Sequence, residues 1–435
     1  MISQILFTLL FAAASFLIFK RYRFVRRNIE LGRSSHITGD ASARLRTMMR
    51  VAFGQSKMFD RPMVALLHLI VYLGFIIINI EVIEILIDGF FGTHRVLSFI
   101  GGTYDVLIGS FEVLAFLVIV ACVAFLIRRN VMNIRRFRMK ELEAWPRTDA
   151  NLILITEIAL MSAFLLMNAS DAALQAMHAD HYIQAGGFPI SSFLQPILKG
   201  LSASGLIAIE RGCWWFHIMG IFAFIVYLSY SKHLHIILAF PNTYFSKLLP
   251  AGQISNMESV TNEVKQIMDP SFTPAVSNDP PARFGVKDVF DLSRLQLMSA
   301  YSCTECGRCT SECPANQTGK KLSPRKIMMD TRDRMEEVGC AMDQSNGVWN
   351  EDGKSLLRDY ISEEEIWACT TCNACTQACP VNINPMEIIV DLRRYLIMEE
   401  SKSPESITTM FNNIENNGAP WAMSAMDRAN WTVTD

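Results

Sequence analysis

CTECGRCTSECP at residues 303–314 and CTTCNACTQACP at residues 369–380 are two copies of one pattern, Cys-x2-Cys-x2-Cys-x3-Cys-Pro. Three thiolates at this spacing wrap one corner of an iron–sulfur cube, and the fourth cysteine of such a run ligates the neighbouring cube. The ligand sets are therefore expected to cross. Cys303, Cys306, Cys309 and Cys379 would hold one [4Fe–4S] cluster, and Cys369, Cys372, Cys375 and Cys313 the other. The proline after each fourth cysteine directs the chain away without adding a backbone donor. Structural zinc also uses Cys-x2-Cys pairs but needs only four ligands per ion, which leaves the third close cysteine and the repeated Cys-Pro without a reason. Neither run is followed by His, which argues against covalent haem attachment.

These runs take eight of the eleven cysteines, a usage that suits metal ligation in a reducing compartment better than a disulfide framework. Of the remainder, Cys122 and Cys213 lie in apolar stretches and read as small core residues, and Cys340 stands apart. The 55 residues between Cys313 and Cys369 are too many for a minimal hairpin. Helical patterns such as Pro324 to Val338, and Glu363 to Ala368 leading into the second run, fill them. Strand signals are scarce. A mostly α-helical domain is expected over 284–400, preceded by a Pro-, Ser-, Asn- and Gln-rich linker over 241–283 and followed by a tail over 401–435.

Upstream the character changes. The chain is 51% hydrophobic, high for a soluble protein, and crossing the hydrocarbon core takes about 20 mainly apolar residues. Five stretches serve: Ile2 to Phe19, Pro62 to Leu86, Tyr104 to Ile127, Asn151 to Ala169, and Cys213 to Phe240. The fold class expected is an all-α membrane protein, a five-helix transmembrane bundle over 1–240 followed by the α-helical iron–sulfur domain. The first span has no basic residue before it and Lys20, Arg21, Arg23, Arg26 and Arg27 after it, the reverse of a cleavable signal. It reads as a retained anchor.

Eleven Lys or Arg lie between Lys20 and Arg61, and Arg129, Arg135, Arg136, Arg138 and Lys140 crowd the next loop on that side. The opposite loops offer only Arg95 and Lys199. The positive-inside bias then places the N-terminus outside and the iron–sulfur domain in the cytoplasm, with the chain in the inner membrane among lipid. The formal net charge of −2 averages a basic front and an acidic back, so it carries no argument for a nucleic-acid partner.

Ionisable side chains inside a bilayer are costly and usually functional, and His68, His217 and His235 fall within the expected spans. His217 and His235 are 18 residues apart. On a continuous helix that is five whole turns, one face, about 27 Å along the axis. His233 should point elsewhere and sit at the interface. His68 and His235 come to a similar depth and suit the two axial positions of a b haem. Glu81, Glu84 and Glu210 with Arg211 lie toward the outer end, where they either relay protons to a quinone or are interfacial.

The stretch CTECGRCTSECPANQTGKKLSPRKI resembles the α-helical ferredoxin domain of iron–sulfur subunits of succinate dehydrogenase and of heterodisulfide reductase-like proteins. WWFHIMGIFAFIVYLSYSKHLHIILAFP is similar to the last helix of the cytochrome b (gamma) subunit of respiratory nitrate reductase, where two His at this spacing ligate two haems. In that family the second span supplies two His ten residues apart. His68 matches the first, but Ile78 stands in place of the second. The resemblance thus implies one haem b, with His217 either beside a quinone site or paired with His94, His178 or His181 in a second haem.

Over nearly its whole length the chain resembles iron–sulfur oxidoreductases of the heterodisulfide reductase and electron-transfer-flavoprotein:quinone oxidoreductase type, in which these units precede a Cys-Cys-Gly-rich domain. FNNIENNGAPWAMSAMDRANW looks like the connector to that domain. No Cys follows Cys379, so a Cys-Cys-Gly-type partner is expected on a separate subunit, docked on the tail through Trp421 and Trp431. The implied function is electron transfer between such a partner, a flavoprotein or a dehydrogenase on the cytoplasmic side and quinone as substrate. The alternative is a membrane anchor or redox sensor without turnover. The sequence has no dinucleotide fingerprint, phosphate loop or nucleophile triad, so no residue is assigned as catalytic on an organic substrate.

Overall fold

The computed structural model describes residues 1–34, 37, 39–250, 252–273 and 283–433. Residues 251 and 274–282 of the expected linker and the last two of the expected tail lie outside the described residues. Five helices are long and apolar enough to cross a membrane: Ile2–Glu30, Pro62–Phe91, Gly102–Asn130, Trp145–Ala176 and Ala203–Leu228. Each packs on its neighbour in sequence, and the first closes the ring by touching the second and the fifth. Ile5, Leu9 and Phe16 of the first span stay exposed, as side chains facing lipid do. Where spans approach closely, small residues allow it. A Cβ on Gly220 would lie 2.5 Å from Leu160, and one on Gly74 would lie 2.5 Å from Val118.

The second span begins with Pro62, whose missing N–H is no loss there, and ends at Gly92 in the left-handed conformation, φ 72°. The first span does not stop at its apolar part. It runs on as helix to Glu30 and carries its basic end into the soluble domain.

The fifth span differs from the expected one. It ends at Leu228, and after a break a separate helix runs His235–Phe245. The cause is local. Ser229 Oγ donates to Val226 O at 2.6 Å, Ser231 Oγ to Leu228 O at 3.3 Å, and Ser231 caps the next turn by accepting from His233 N at 3.0 Å. Short hydroxyl side chains here compete with the helix ladder. His217 and His235 therefore do not share one straight helix, and the five-turn spacing does not hold. The expected linker is also partly ordered: helix continues through Pro241 to Phe245, and another runs Glu258–Met268.

The soluble domain is helical, and among the described residues no β-strand occurs beyond two isolated bridges. Helices Arg294–Ser302, Pro324–Gln344 and Pro385–Met398 enclose a core that includes Leu292, Leu297, Ile327, Met335, Ile388 and Leu392. Each has a side-chain N-cap: Ser293, Ser323 and Asn384.

This domain sits directly on one end of the bundle. Arg21 donates to Glu336 at 2.7 Å and to Ser229 O at 3.0 Å. Buried Asn28 donates to Tyr301 Oη at 2.9 Å. The close approach depends on Gly339, where an added Cβ would collide with the Asn28 amide. The basic loops after the first and third spans are on this same side.

Arg325, fully buried, reaches out of the soluble domain to Glu141 at 2.7 Å and to Arg136 O at 2.8 Å, both in the loop between the third and fourth spans. Burial would raise the Glu141 carboxyl, but Arg325 and Ser323 outweigh it and hold it below its ordinary value. A depressed carboxylate stabilises above its unfolded value, about 4.3, and that contribution is lost as pH falls through the lowered folded value. Glu141→Gln, which leaves Arg325 buried without its counter-charge, is expected to cost about 3–5 kcal/mol. Thermal unfolding at neutral pH checks this; an unchanged midpoint would show that the pair does not secure the docking.

Candidate functional site

The two cysteine loops adopt one backbone pattern. In the first, Glu305 and Gly307 have φ of 54° and 69°; in the second, Thr371 and Asn373 have φ of 54° and 60°. Left-handed residues alternating with right-handed ones turn successive N–H groups into a concave nest that favours an anion, an arrangement found at many iron–sulfur sites. Three of the four positions are not glycine, and each such residue costs about 1–3 kcal/mol. Gly307 is glycine for a second reason: a Cβ there would collide with the Arg325 guanidinium.

The loops bring the thiols together across the two runs. Cys309 lies within electrostatic reach of Cys303, Cys306 and Cys379. Cys369 and Cys375 both sense Cys313, and Cys313, Cys369, Cys372 and Cys375 line one small pocket. Backbone N–H groups of Thr371 and Ile383 point at Cys369 Sγ (3.4 Å) and Cys379 Sγ (3.3 Å). Burial, with a smaller contribution from neighbouring cysteines, pushes the Cys303 and Cys375 thiols up to about 12 and Cys379 up to about 11. Crowded cysteines, four of the eight buried and two with backbone N–H groups aimed at their sulfurs, suit a group that brings its own positive charge, so the residues fit iron–sulfur clusters. The two sets are adjacent, since Cys309 also senses Cys375.

The first loop faces the bundle. Its Glu305, buried and left-handed, pairs with Lys232, and Arg332 reaches the same carboxylate at 2.8 Å. Lys232 O accepts from His235 Nδ1 at 3.0 Å. Arg308, one residue before Cys309, donates to Lys57 O at 2.9 Å, in the loop where Gln55 Oε1 meets His68 Nδ1 at 3.0 Å. In the second run Cys372 is exposed, and Lys57 Nζ reaches Thr376 O at 3.4 Å.

His68 and His235 are half-buried, and with each Nδ1 engaged neither Nε2 has a hydrogen-bond partner among the described residues. A fixed Nδ1 with a free Nε2 is how proteins orient an imidazole toward a metal, so these side chains fit axial ligation of haem. His233 does not point elsewhere as expected. Its ring centroid is 5.2 Å from that of His235, and it lies within electrostatic reach of His68. The break before Ser231 resets the helical phase, which a count along a continuous helix misses.

His217 is buried apart from this group, its Nδ1 at 2.9 Å from Leu160 O and its ring against Phe164. His94 instead meets Asp171 at 3.7 Å and the Tyr182 ring. Cys122 is fully buried as expected, Cys213 is half-buried and Cys340 is exposed. Sequence reasoning missed Lys232, Glu305 and Arg308. Their signal was weak, being charged residues that gain meaning only when the loop and the bundle end meet.

Fold and site together define an iron–sulfur electron-transfer protein with a membrane-embedded helical anchor. Residues 302–383 match the family described as a 4Fe-4S dicluster domain. The chain is 29% identical over 431 residues to "Probable iron-sulfur-binding oxidoreductase FadF" of Bacillus subtilis, covering 93% of this chain and 57% of that protein. It is 26% identical over 411 residues to "EtfAB:quinone oxidoreductase" of Syntrophomonas wolfei, covering 87% and 52%. A third relative is a component of the ferredoxin/F(420)H(2)-dependent CoB-CoM heterodisulfide reductase of Methanosarcina acetivorans, 30% identical over 120 residues, 27% of this chain and 60% of that one. The chain is thus a relative of iron–sulfur oxidoreductases and spans about half the length of the first two. No solved structure matches.

Proposed function

We propose that this chain conducts single electrons between a redox partner at its iron–sulfur domain and the quinone pool of the inner membrane. Two [4Fe–4S] clusters and a b haem, when bound, supply the one-electron carriers. Cys303, Cys306, Cys309 and Cys379 hold the cluster nearer the membrane, and Cys369, Cys372, Cys375 and Cys313 the outer one. His68 and His235 hold the haem, while His217 stands deeper in the bundle, apart from that pair. The observation that carries the reading is the chain of contacts from the first cysteine loop through Glu305 and Lys232 to His235.

Exposure of Cys372 makes the outer set the port for a partner. That partner is a flavoprotein, a dehydrogenase or a Cys-Cys-Gly-type iron–sulfur protein. The tail offers it a surface: helix Glu405–Asn417 buries none of its residues, and Trp421 is 62% and Trp431 78% exposed. The excess of Lys and Arg on the loops that touch this domain supports its cytoplasmic location.

The test is to isolate the chain from native membranes, reduce it with dithionite, and add a water-soluble quinone while following optical and paramagnetic spectra. Haem and both clusters are expected to reoxidise together. A preparation with clusters but no haem, or with clusters that stay reduced, would overturn the reading.

A further inference from the structure

On the far half of the second span, Glu81, Glu84 and Asp88 follow at i, i+3 and i+7, the spacing that puts side chains on one helix face. Glu81 is 19 residues past Pro62, about 28 Å along the axis from the end that meets the iron–sulfur domain. The three carboxylates climb from the bundle interior to its outer rim. Around them lies a buried network centred on Arg95, which is 6% exposed. Arg95 donates to Asp171 at 2.5 Å, to Tyr104 Oη at 3.2 Å and to Asn168 at 2.9 Å.

Every other acid here is satisfied. Glu84 accepts from Leu97 N and Tyr104 Oη, both at 2.8 Å. Glu112 accepts from Asn168 at 3.1 Å, from Ile190 N and Ser191 N at 2.9 and 3.0 Å, and from Ser191 Oγ. Glu81 is the exception. It is 4% exposed, within electrostatic reach of Arg95, Glu84 and Glu112, and its Oε2 has no hydrogen-bond partner among the described residues. One buried guanidinium cannot neutralise four carboxylates in a low-dielectric interior. Glu81 is thus the carboxyl of the four with an oxygen that no donor among the described residues occupies, open to a partner the network does not supply.

We propose that Glu81 is a proton-transfer residue for a quinone headgroup bound in the outer half of the bundle, with Glu84 and Asp88 leading to the outer surface. This rests on the quinone-linked reading above and names the residues of its proton side. In the reducing direction the quinone gains two electrons from the chain's one-electron carriers and two protons. Each proton leaves Glu81 Oε2 as an O–H bond forms on a quinone oxygen, and the carboxylate is reprotonated from outside water by way of Asp88 and Glu84. The two protons of one turnover pass in succession. Quinol oxidation runs the same path backwards.

The test compares wild type with Glu81→Gln, Glu81→Asp and, away from the carboxyl itself, Tyr104→Phe, each as the full haem- and cluster-loaded chain. Dithionite-reduced protein is mixed with a short-chain quinone, and infrared difference spectra are taken on quinone addition. Glu81→Gln is expected to slow quinone-driven reoxidation at least tenfold, a loss of about 1.4 kcal/mol. Its haem and cluster spectra should be unchanged and a protonated-carboxyl band should vanish. Glu81→Asp should restore part of the rate, and Tyr104→Phe should shift the band. If wild type reoxidises and Glu81→Gln matches it in rate and infrared bands, this inference is wrong while the quinone reading stands. If wild type itself does not reoxidise with quinone, the reading beneath it has failed.

Discussion

Cys379→Ser is expected to abolish the same cluster signal as Cys303→Ser, although the two positions lie in different runs. The backbone explains why. The Cys-Pro at each run's end carries its thiol away from its own loop, and burial beside Cys306 and Cys309 places Cys379 with the first set. Cys313→Ser and Cys369→Ser form the complementary pair, joined through the pocket that both line. Each variant should retain about half of the iron, the share of one cube in two. Paramagnetic resonance on the reduced protein, with iron counted per chain, separates the alternatives. If Cys379→Ser instead removes the signal that Cys369→Ser removes, the ligand sets do not cross.

The second large effect is on haem. His68→Ala and His235→Ala should each empty the site of b-type absorbance while leaving both cluster signals, because a low-spin haem loses its grip with either axial imidazole. His217→Ala should leave the absorbance intact, its ring being held against Leu160 O and Phe164 elsewhere in the bundle. His233 supplies the decisive control, since its ring stands beside His235. Retention of haem in His235→Ala with loss in His233→Ala would reassign the ligand to His233.

These predictions differ in how far the sequence alone could have carried them. Cluster ligation is written in short range: cysteines three residues apart reach one cube whatever surrounds them, and the repeat of the run shows that there are two. The spans are equally legible, because about 20 apolar residues in succession have few other uses. The buried acids in them were only partly read. Glu81, Glu84 and Glu210 stood out, but Glu112 and Asp171 gain their role from Arg95, which in sequence is merely a charge in an outer loop.

What only the tertiary structure decided is the junction. Where the fifth helix stops depends on whether Ser229 and Ser231 turn their hydroxyls onto the carbonyls of the preceding turn, and periodicity is blind to that choice. Once the helix breaks, His233 and His235 rotate together toward His68. Docking of the iron–sulfur domain then joins residues more than 70 positions apart, as Lys232 meets Glu305. Hydrophobicity and ligand spacing are properties of a segment and survive in the sequence; a buried ion pair between two domains is a property of their meeting surfaces, and exists only after both have folded.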